Sequence, residues 1–339
     1  TIDSLDNFRP EAISPNGTFY SAGILPPLEM EMTLRDDNSL GFYMETSEIG
    51  FPLYGGVGTF HNGIEMSNKG LVGYGSFDYL TSTTWSDAFV MHPDSLLAVT
   101  TRYLIKEKLS LDDDSASFPY VENDAAYMTL NPAEKVMEVE DLGSNFKMFD
   151  DSTFLGGNLT LRPEGLSGDG VMALPEARLE SKLFNYGYQS IFSDSAGVQI
   201  KDQGMEEFPF LTEDVNMAIS LGEKRAQFKA NGDATRIELP YNLYETELDD
   251  IVWYMDRDEL ALSQGRRLEE NTVDIGIDSL TTNGPIYRST HPGQDSLSFV
   301  SPFAIYNYKD RTLEAREVPF IEVADVYVFP DQGNVEIGQ

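Results

Sequence analysis

No cysteine occurs among the 339 residues. Disulfides and thiolate metal sites are therefore excluded, and every constraint on the fold must come from packing and hydrogen bonding. An exported bacterial protein can lack cysteine as readily as a cytosolic one, so this absence alone does not assign a compartment. Basic residues are scarce. There are 23 Lys and Arg against 57 Asp and Glu, so the net charge is −34. Such a surface repels phosphate backbones and anionic lipid, which argues against nucleic-acid binding. No apolar run approaches the roughly 18 residues of a membrane-spanning helix, so this segment is expected not to insert into a membrane. Histidine is rare too: His61, His92 and His291 have no histidine neighbour at metal-ligand spacing. No G-x-S-x-G nucleophile elbow is present. The chain opens on Thr1 without a basic, apolar leader, which suggests a processed chain or a segment of a longer one.

What remains is strand material. Hydrophobic residues make up 41% and aromatics 12%, enough for a folded protein. The stretch Gly157–Lys201 repeats Asn62–Lys106 without a gap. Gly70, Leu71, Gly73 and Gly75 fall on Gly165, Leu166, Gly168 and Gly170. Ser86, Phe89, Ser95, Ile105 and Lys106 fall on Ser181, Phe184, Ser190, Ile200 and Lys201, an offset of 165 − 70 = 95 throughout. Both stretches read as short strands broken by glycine turns. Ile64 and Met66, like Leu159 and Leu161, alternate with polar residues, so each piece has one apolar and one wet face. Flanking pieces echo one another as well. Phe118-Pro119-Tyr120 matches Phe208-Pro209-Phe210, and the region of Met128 matches that of Met217. A looser echo, Ala304–Val318, has the same form of strand, charged turn and strand, as in a hairpin or solenoid corner. Helix signals are few. Leu243–Leu262 has an acidic start that suits a helix, but its apolar spacing at Ile251, Trp253 and Met255 favours a strand.

The predicted fold is all-β: an elongated β-solenoid (β-helix-like) or a stacked β-jellyroll, with tandem β-sandwiches as the alternative. The expected organisation is a loop-rich entry segment over 1–60, a first β repeat over 61–153, a second over 154–262 and a partial third over 263–339. The interval from Lys106 to Phe154 carries strand pattern of its own, which counts against a linker between independent sandwiches.

Candidate chemistry is thin. Gly168–Ala173 has the form G-x-G-x-x-A, but Pro175 interrupts any following helix, so the glycines read as tight turns. The acidic clusters Asp36-Asp37, Asp112-Asp113-Asp114, Asp150-Asp151, Asp249-Asp250 and Asp256 with Asp258 and Glu259 lack the EF-hand pattern and read as solvated turns. Calcium is the one cofactor they leave open. Trp85 and Trp253 could stack on sugars, although strand aromatics usually pack in a core. His92-Pro93-Asp94 and His291-Pro292-Gly293 read as ordinary turns. No catalytic residue is assigned.

The pieces Leu159–Met172, Leu183–Lys201 and Ser289–Ile337 resemble segments of very large, uncharacterised, repeat-built surface or envelope proteins of Gram-negative bacteria that use a type 9 export route. The resemblance implies an exported, β-rich chain at the cell surface or outside it, with no catalytic residues to carry over. The functional expectation is a non-enzymatic structural or adhesive segment, oligomeric or part of a larger protein assembly. The rival reading is a polysaccharide-binding or polysaccharide-degrading β-helix protein, which would need an aromatic-lined groove with two isolated carboxylates. A lipid-carrying jellyroll bridge would need a continuous apolar trough.

Overall fold

A computed structural model describes residues 15–35, 37–112, 116–201, 208–264, 284–294 and 297–338. The chain is all-β, with 61% strand and no α-helix among the described residues. It divides after Gly168 into two compact units.

The first unit begins with β1 (Asn16–Phe19) and β2 (Leu28–Glu31), paired with each other. There follow β3 (Thr33–Leu34), β4 (Leu40–Glu45), β5 (Phe51–Leu53) and the ten-residue strands β6 (Gly58–Ser67), β7 (Gly70–Tyr79) and β8 (Ser82–Met91). Beyond these come β9 (Leu96–Val99), β10 (Arg102–Ile105), β11 (Val121–Asn123), β12 (Ala126–Asn131), β13 (Val136–Asp141), β14 (Phe146–Met148) and β15 (Phe154–Arg162). Long strands serve two sheets. β8 pairs with β10 through Ser82–Trp85 and with β9 through Phe89–Met91. From there one sheet runs β9–β12–β13 and the other β10–β11–β14. Both end on β15, which pairs with β13 through Asn158–Leu161 and with β14 through Phe154 and Leu155. The result is a closed barrel of eight antiparallel strands. Alternation fills it: Phe89, Leu96, Tyr103, Val121, Met128, Met137, Phe146, Met148, Leu155 and Leu159 are at most 1% exposed.

The division falls within β16 (Gly165–Leu174), and the second unit goes on with β17 (Ala177–Tyr186), β18 (Ser190–Ile200) and β19 (Phe210–Ser220). Next are β20 (Arg225–Ala230), β21 (Thr235–Leu239), β22 (Tyr244–Leu248), β23 (Asp250–Tyr254), β24 (Glu259–Ser263), β25 (Ile286–Ser289) and β26 (Ser298–Val300). The last are β27 (Phe303–Asn307), β28 (Thr312–Arg316), β29 (Ile321–Val323), β30 (Val326–Val328) and β31 (Val335–Ile337). Here β19 is the shared strand, pairing with β20 through Val215–Ser220 and with β21 through Leu211 and Thr212. One sheet continues β20–β23–β24–β27–β28–β31. The other continues β21–β22–β25–β26–β29–β30. The chain thus lays a hairpin in one sheet, then one in the other, and back again. Leu243–Leu262 belongs to β22, β23 and β24, as its apolar spacing favours.

Hairpin chemistry recurs. β12–β13, β19–β20, β23–β24 and β27–β28 are each joined by four residues, and the last of these, Lys135, Lys224, Asp258 and Arg311, has φ between 51 and 57°. Asn131 and Asn307 close two of these loops by accepting backbone N–H bonds from Ala133 and Glu134, and from Lys309 and Asp310. The three hairpin echoes of the sequence fall on three of these four.

The strands of the 95-residue offset coincide: β7 at 70–79 matches β16 at 165–174, and β8 at 82–91 matches β17 at 177–186. Their glycines, however, do not break strands as the sequence suggested. Gly73 and Gly75 lie inside β7, and Gly168 and Gly170 inside β16. Gly75 and Gly170 have φ of 135° and 125°, and in β7 the register against β8 shifts between Gly73 and Gly75. At both an L side chain would be strained, and Gly75 is a bulge glycine where a Cβ would also collide with the neighbouring strand. The G-x-G-x-x-A string is accordingly strand interior, with no helix N-terminus to face a phosphate.

Candidate functional site

In the long strands β8, β17, β18 and β19 a buried hydroxyl residue sits where the strand bends. In β8, Ser86 is 5% exposed; its Oγ donates to the Val99 carbonyl at 2.7 Å and accepts from the Ala88 N–H at 3.1 Å. Ser181 occupies the matching place in β17, donating to the Ser195 carbonyl at 2.8 Å and accepting from the Leu183 N–H at 3.0 Å. Ser193 lies 2.9 Å from Ser181, and its Oγ accepts from the Ser195 N–H at 3.3 Å. In β19, Thr212 donates to the Arg236 carbonyl at 3.1 Å. Two consecutive residues then face solvent at each bend: Asp87 and Ala88, Lys182 and Leu183, Asp194 and Ser195, Glu213 and Asp214. The hydroxyls replace ladder bonds that the bulge interrupts. Replacing Ser181 by Ala should therefore cost about 1–3 kcal/mol, because buried backbone groups lose their partner. Urea unfolding of Ser181→Ala against the parent checks this.

Above the bends of β17, β18 and β19 lies a concavity of about 1180 Å³. Its lining is mixed: Val171, Leu183, Val198 and Leu211 lie beside acidic and hydroxyl side chains, several of which are held by hydrogen bonds. Asp214 Oδ1 accepts from Asn231 Nδ2 at 2.9 Å and from Ser195 Oγ at 2.8 Å. These two hydrogen bonds hold the Asp214 carboxyl below the usual carboxylate range, so it serves as an ionised anchor and not as a proton donor at neutral pH. Asp194 accepts from Asn216 at 3.3 Å, and Arg236 pairs with Glu245 at 2.7 Å. No aromatic and no histidine is among the described residues lining the concavity. It offers hydrogen bonds to an extended ligand, and the Asp214 carboxylate to which Ser195 donates is also held by Asn231.

Asp169, Gly170 and Val171 of the G-x-G-x-x-A string line this concavity, whereas none of the histidines and tryptophans does. His61 Nε2 is 3.0 Å from Asp78 Oδ2, while Asp78 Oδ1 accepts from Thr83 at 2.7 Å. No hydroxyl bonds to the His61 ring among the described residues. The His92 carbonyl accepts from Tyr54 at 2.9 Å in the connection between β8 and β9. His291 Nδ1 accepts from the Gly293 N–H at 2.9 Å within its own turn. Trp85 is covered by the Arg102 guanidinium, 5.2 Å from the ring centre, and Trp253 is 1% exposed. Trp253 therefore offers no face to a sugar, and Trp85 has one face covered by Arg102.

The carboxylates of the acidic clusters bond locally, but Asp249-Asp250 is not a solvated turn: Asp249 is buried and Asp250 lies in β23. Asp37 accepts from the Ser39 N–H at 2.9 Å and Asp150 from the Ser152 N–H at 2.8 Å. Asp250 accepts from Gln227 at 2.8 Å, and Asp258 pairs with Lys309 at 2.7 Å. Asp36, Asp113 and Asp114 lie outside the described residues. Among the described residues, no group of three or more His, Asp or Glu side chains is placed to hold a metal ion. No described helix is long and apolar enough to cross a membrane. The serine bends were legible only as Ser86 falling on Ser181; nothing in the sequence said that the strands bend there. No family model, no curated protein and no solved structure matches the chain.

Proposed function

We propose that the chain is a non-catalytic, repeat-built structural or adhesive segment of an extracellular or envelope-exposed assembly. In this reading each stack of alternating hairpins is a solenoid-like β-jellyroll: successive hairpins cover one another's apolar faces, and shape carries the function. Strands shared between two sheets favour this over tandem sandwiches with independent cores. The observation that carries the reading is the filled barrel of the first unit, together with a concavity in which several carboxylates and hydroxyls are held by hydrogen bonds. The −34 net charge would limit indiscriminate pairing of the strand edges. The polysaccharide reading has no aromatic residue in the concavity to support it among the described residues. Calcium binding to the acidic turns has no convergent ligand set to support it among the described residues.

Immunolabelling of intact source cells tests the proposal. Labelling without permeabilisation is the expected result. Labelling that appears only after permeabilisation contradicts an exposed location, and cleavage of a polysaccharide by the purified chain contradicts a non-catalytic role.

A further inference from the structure

The matched strands of the two units differ at one place on their outer face. In the first unit Trp85 of β8 pairs with Arg102 of β10, and Thr83 with Leu104. In the second, Glu180 of β17 pairs with Gly197 of β18, and Arg178 with Gln199. These are the same positions, since 180 − 85 = 95 and 197 − 102 = 95. The first unit fills the place from within. The Arg102 guanidinium lies over the Trp85 ring, 5.2 Å from its centre, and its Nε and one terminal nitrogen donate to Glu122 Oε1 at 3.1 and 2.8 Å.

In the second unit the place is open. A Cβ built on Gly197 meets nothing within 4 Å, and its φ is not among the positive ones, so neither crowding nor backbone conformation requires a glycine there. Carboxylates flank the gap. Glu180 lies on one side. On the other, Val198 pairs with Thr212 and Ala196 with Val215, so Glu213 and Asp214 together oppose Gly197. Asp214 is held by Asn231 and Ser195, but the Glu180 and Glu213 carboxylates enter no hydrogen bond or ion pair among the described residues. Glu180, Gly197 and Glu213 all line the concavity. Arg178 and Lys182 lie two residues to either side of Glu180 on the same face of β17, and they too enter no ion pair among the described residues.

We propose that this concavity is a docking site for an arginine of a protein partner, carried on an extended segment. Its guanidinium takes over Gly197 the place that Arg102 fills in the first unit, between the Glu180 and Glu213 carboxylates. A planar fork of donors can reach both, and it sheds water more readily than an ammonium. Side chains two apart in an extended segment share a face, so acidic residues there on either side of the arginine would meet Arg178 and Lys182. The partner's order of acid, base, acid is thus read against base, acid, base on β17. The same two cations repel a run of arginines. Such a contact could join the structural assembly; it rests on that reading for its use, not for the binding itself.

The test is a labelled, end-blocked peptide of sequence SESRSES titrated into the full chain. Salt at about 0.15 M screens the overall charge beyond about 8 Å. Fluorescence anisotropy reports binding, and hydrogen exchange reports its location. Saturable binding that slows exchange in 178–182 and 196–199 is the expected result. Citrulline in place of the arginine keeps the shape and loses the charge, and should weaken binding about tenfold; lysine should weaken it about threefold. Gly197→Arg supplies from within what Arg102 supplies in the first unit, and should abolish saturable binding. Glu213→Gln should weaken binding about threefold, and keeps the test decisive if Gly197→Arg fails to fold. No saturation up to about 1 mM peptide, equal affinity for the citrulline or lysine peptide, or undiminished affinity in either variant would overturn the proposal. Cell labelling and cleavage assays bear on the structural reading alone, so the two can fail separately.

Discussion

Replacing Gly75 by Ala should destabilise the first unit by about 2–5 kcal/mol, combining left-handed backbone strain with overpacking. Gly75 sits at φ 135°, a conformation that L residues avoid. A Cβ built there lies 2.4 Å from the His61 carbonyl oxygen, which belongs to the paired strand and cannot rotate away. The bulge at this position sets the register of β7 against β8, so relief would require moving a ladder. Gly70 is the internal control. It also has positive φ, at 89°, but a Cβ there meets nothing within 4 Å. Gly70→Ala should therefore cost only its backbone term, about 1–2 kcal/mol. Equal losses in urea unfolding of the two variants would refute the bulge account.

Trp253→Ala should cost about 3–5 kcal/mol, in the range of large core truncations. Trp253 lies in the middle of β23, 1% exposed, and its Nε1 donates to the Tyr308 hydroxyl at 3.4 Å. That hydroxyl also lies 3.0 Å from Glu176 Oε2 and 3.2 Å from Asp258 Oδ1. Burial, before any neighbouring charge, pushes the Tyr308 phenol far above its ordinary pKa, so it stays protonated and donates. Truncating the indole opens a cavity and removes one member of a buried polar cluster. Trp253→Phe should recover most of the packing and lose only the hydrogen bond. The loss should appear in the unfolding of the second unit, with near-ultraviolet circular dichroism as the probe. A Trp253→Ala variant as stable as the parent would mean that the indole is not core.

Much of this was legible because period-two alternation is local. Ile64 and Met66, or Leu159 and Leu161, announce strands by themselves, and the offset of 95 follows strand bounds closely. The glycines misled because glycine marks turns and strand bulges alike; only the neighbouring strand, whose His61 carbonyl crowds Gly75, tells them apart. Partner choice was also hidden. Alternation shows which side chains are buried, but not that β8 changes partner at Ser86. The matched pieces even diverge. Residues 96–105 form two strands, because buried Thr100 bonds to Ala126 at the corner, whereas 190–200 form the single strand β18. Thr100 and its counterpart Ser195 are both small hydroxyl residues, so composition could not distinguish the outcomes. The exposure of β30 was invisible for the same reason, since VYVF reads as core in isolation.

The central structural claim is that one strand closes two sheets, and the absence of cysteine makes it directly testable by cross-linking. Cysteines placed at Glu138 and Thr160 probe β13 against β15, and cysteines at Lys147 and Phe154 probe β14 against β15. Directly paired residues fall within disulfide reach. Under mild oxidation both pairs should form, separately and together in one molecule, with the four-cysteine chain still folded. Formation of either pair only when the other is absent would contradict the account, because the two sheets would then not meet on a single strand.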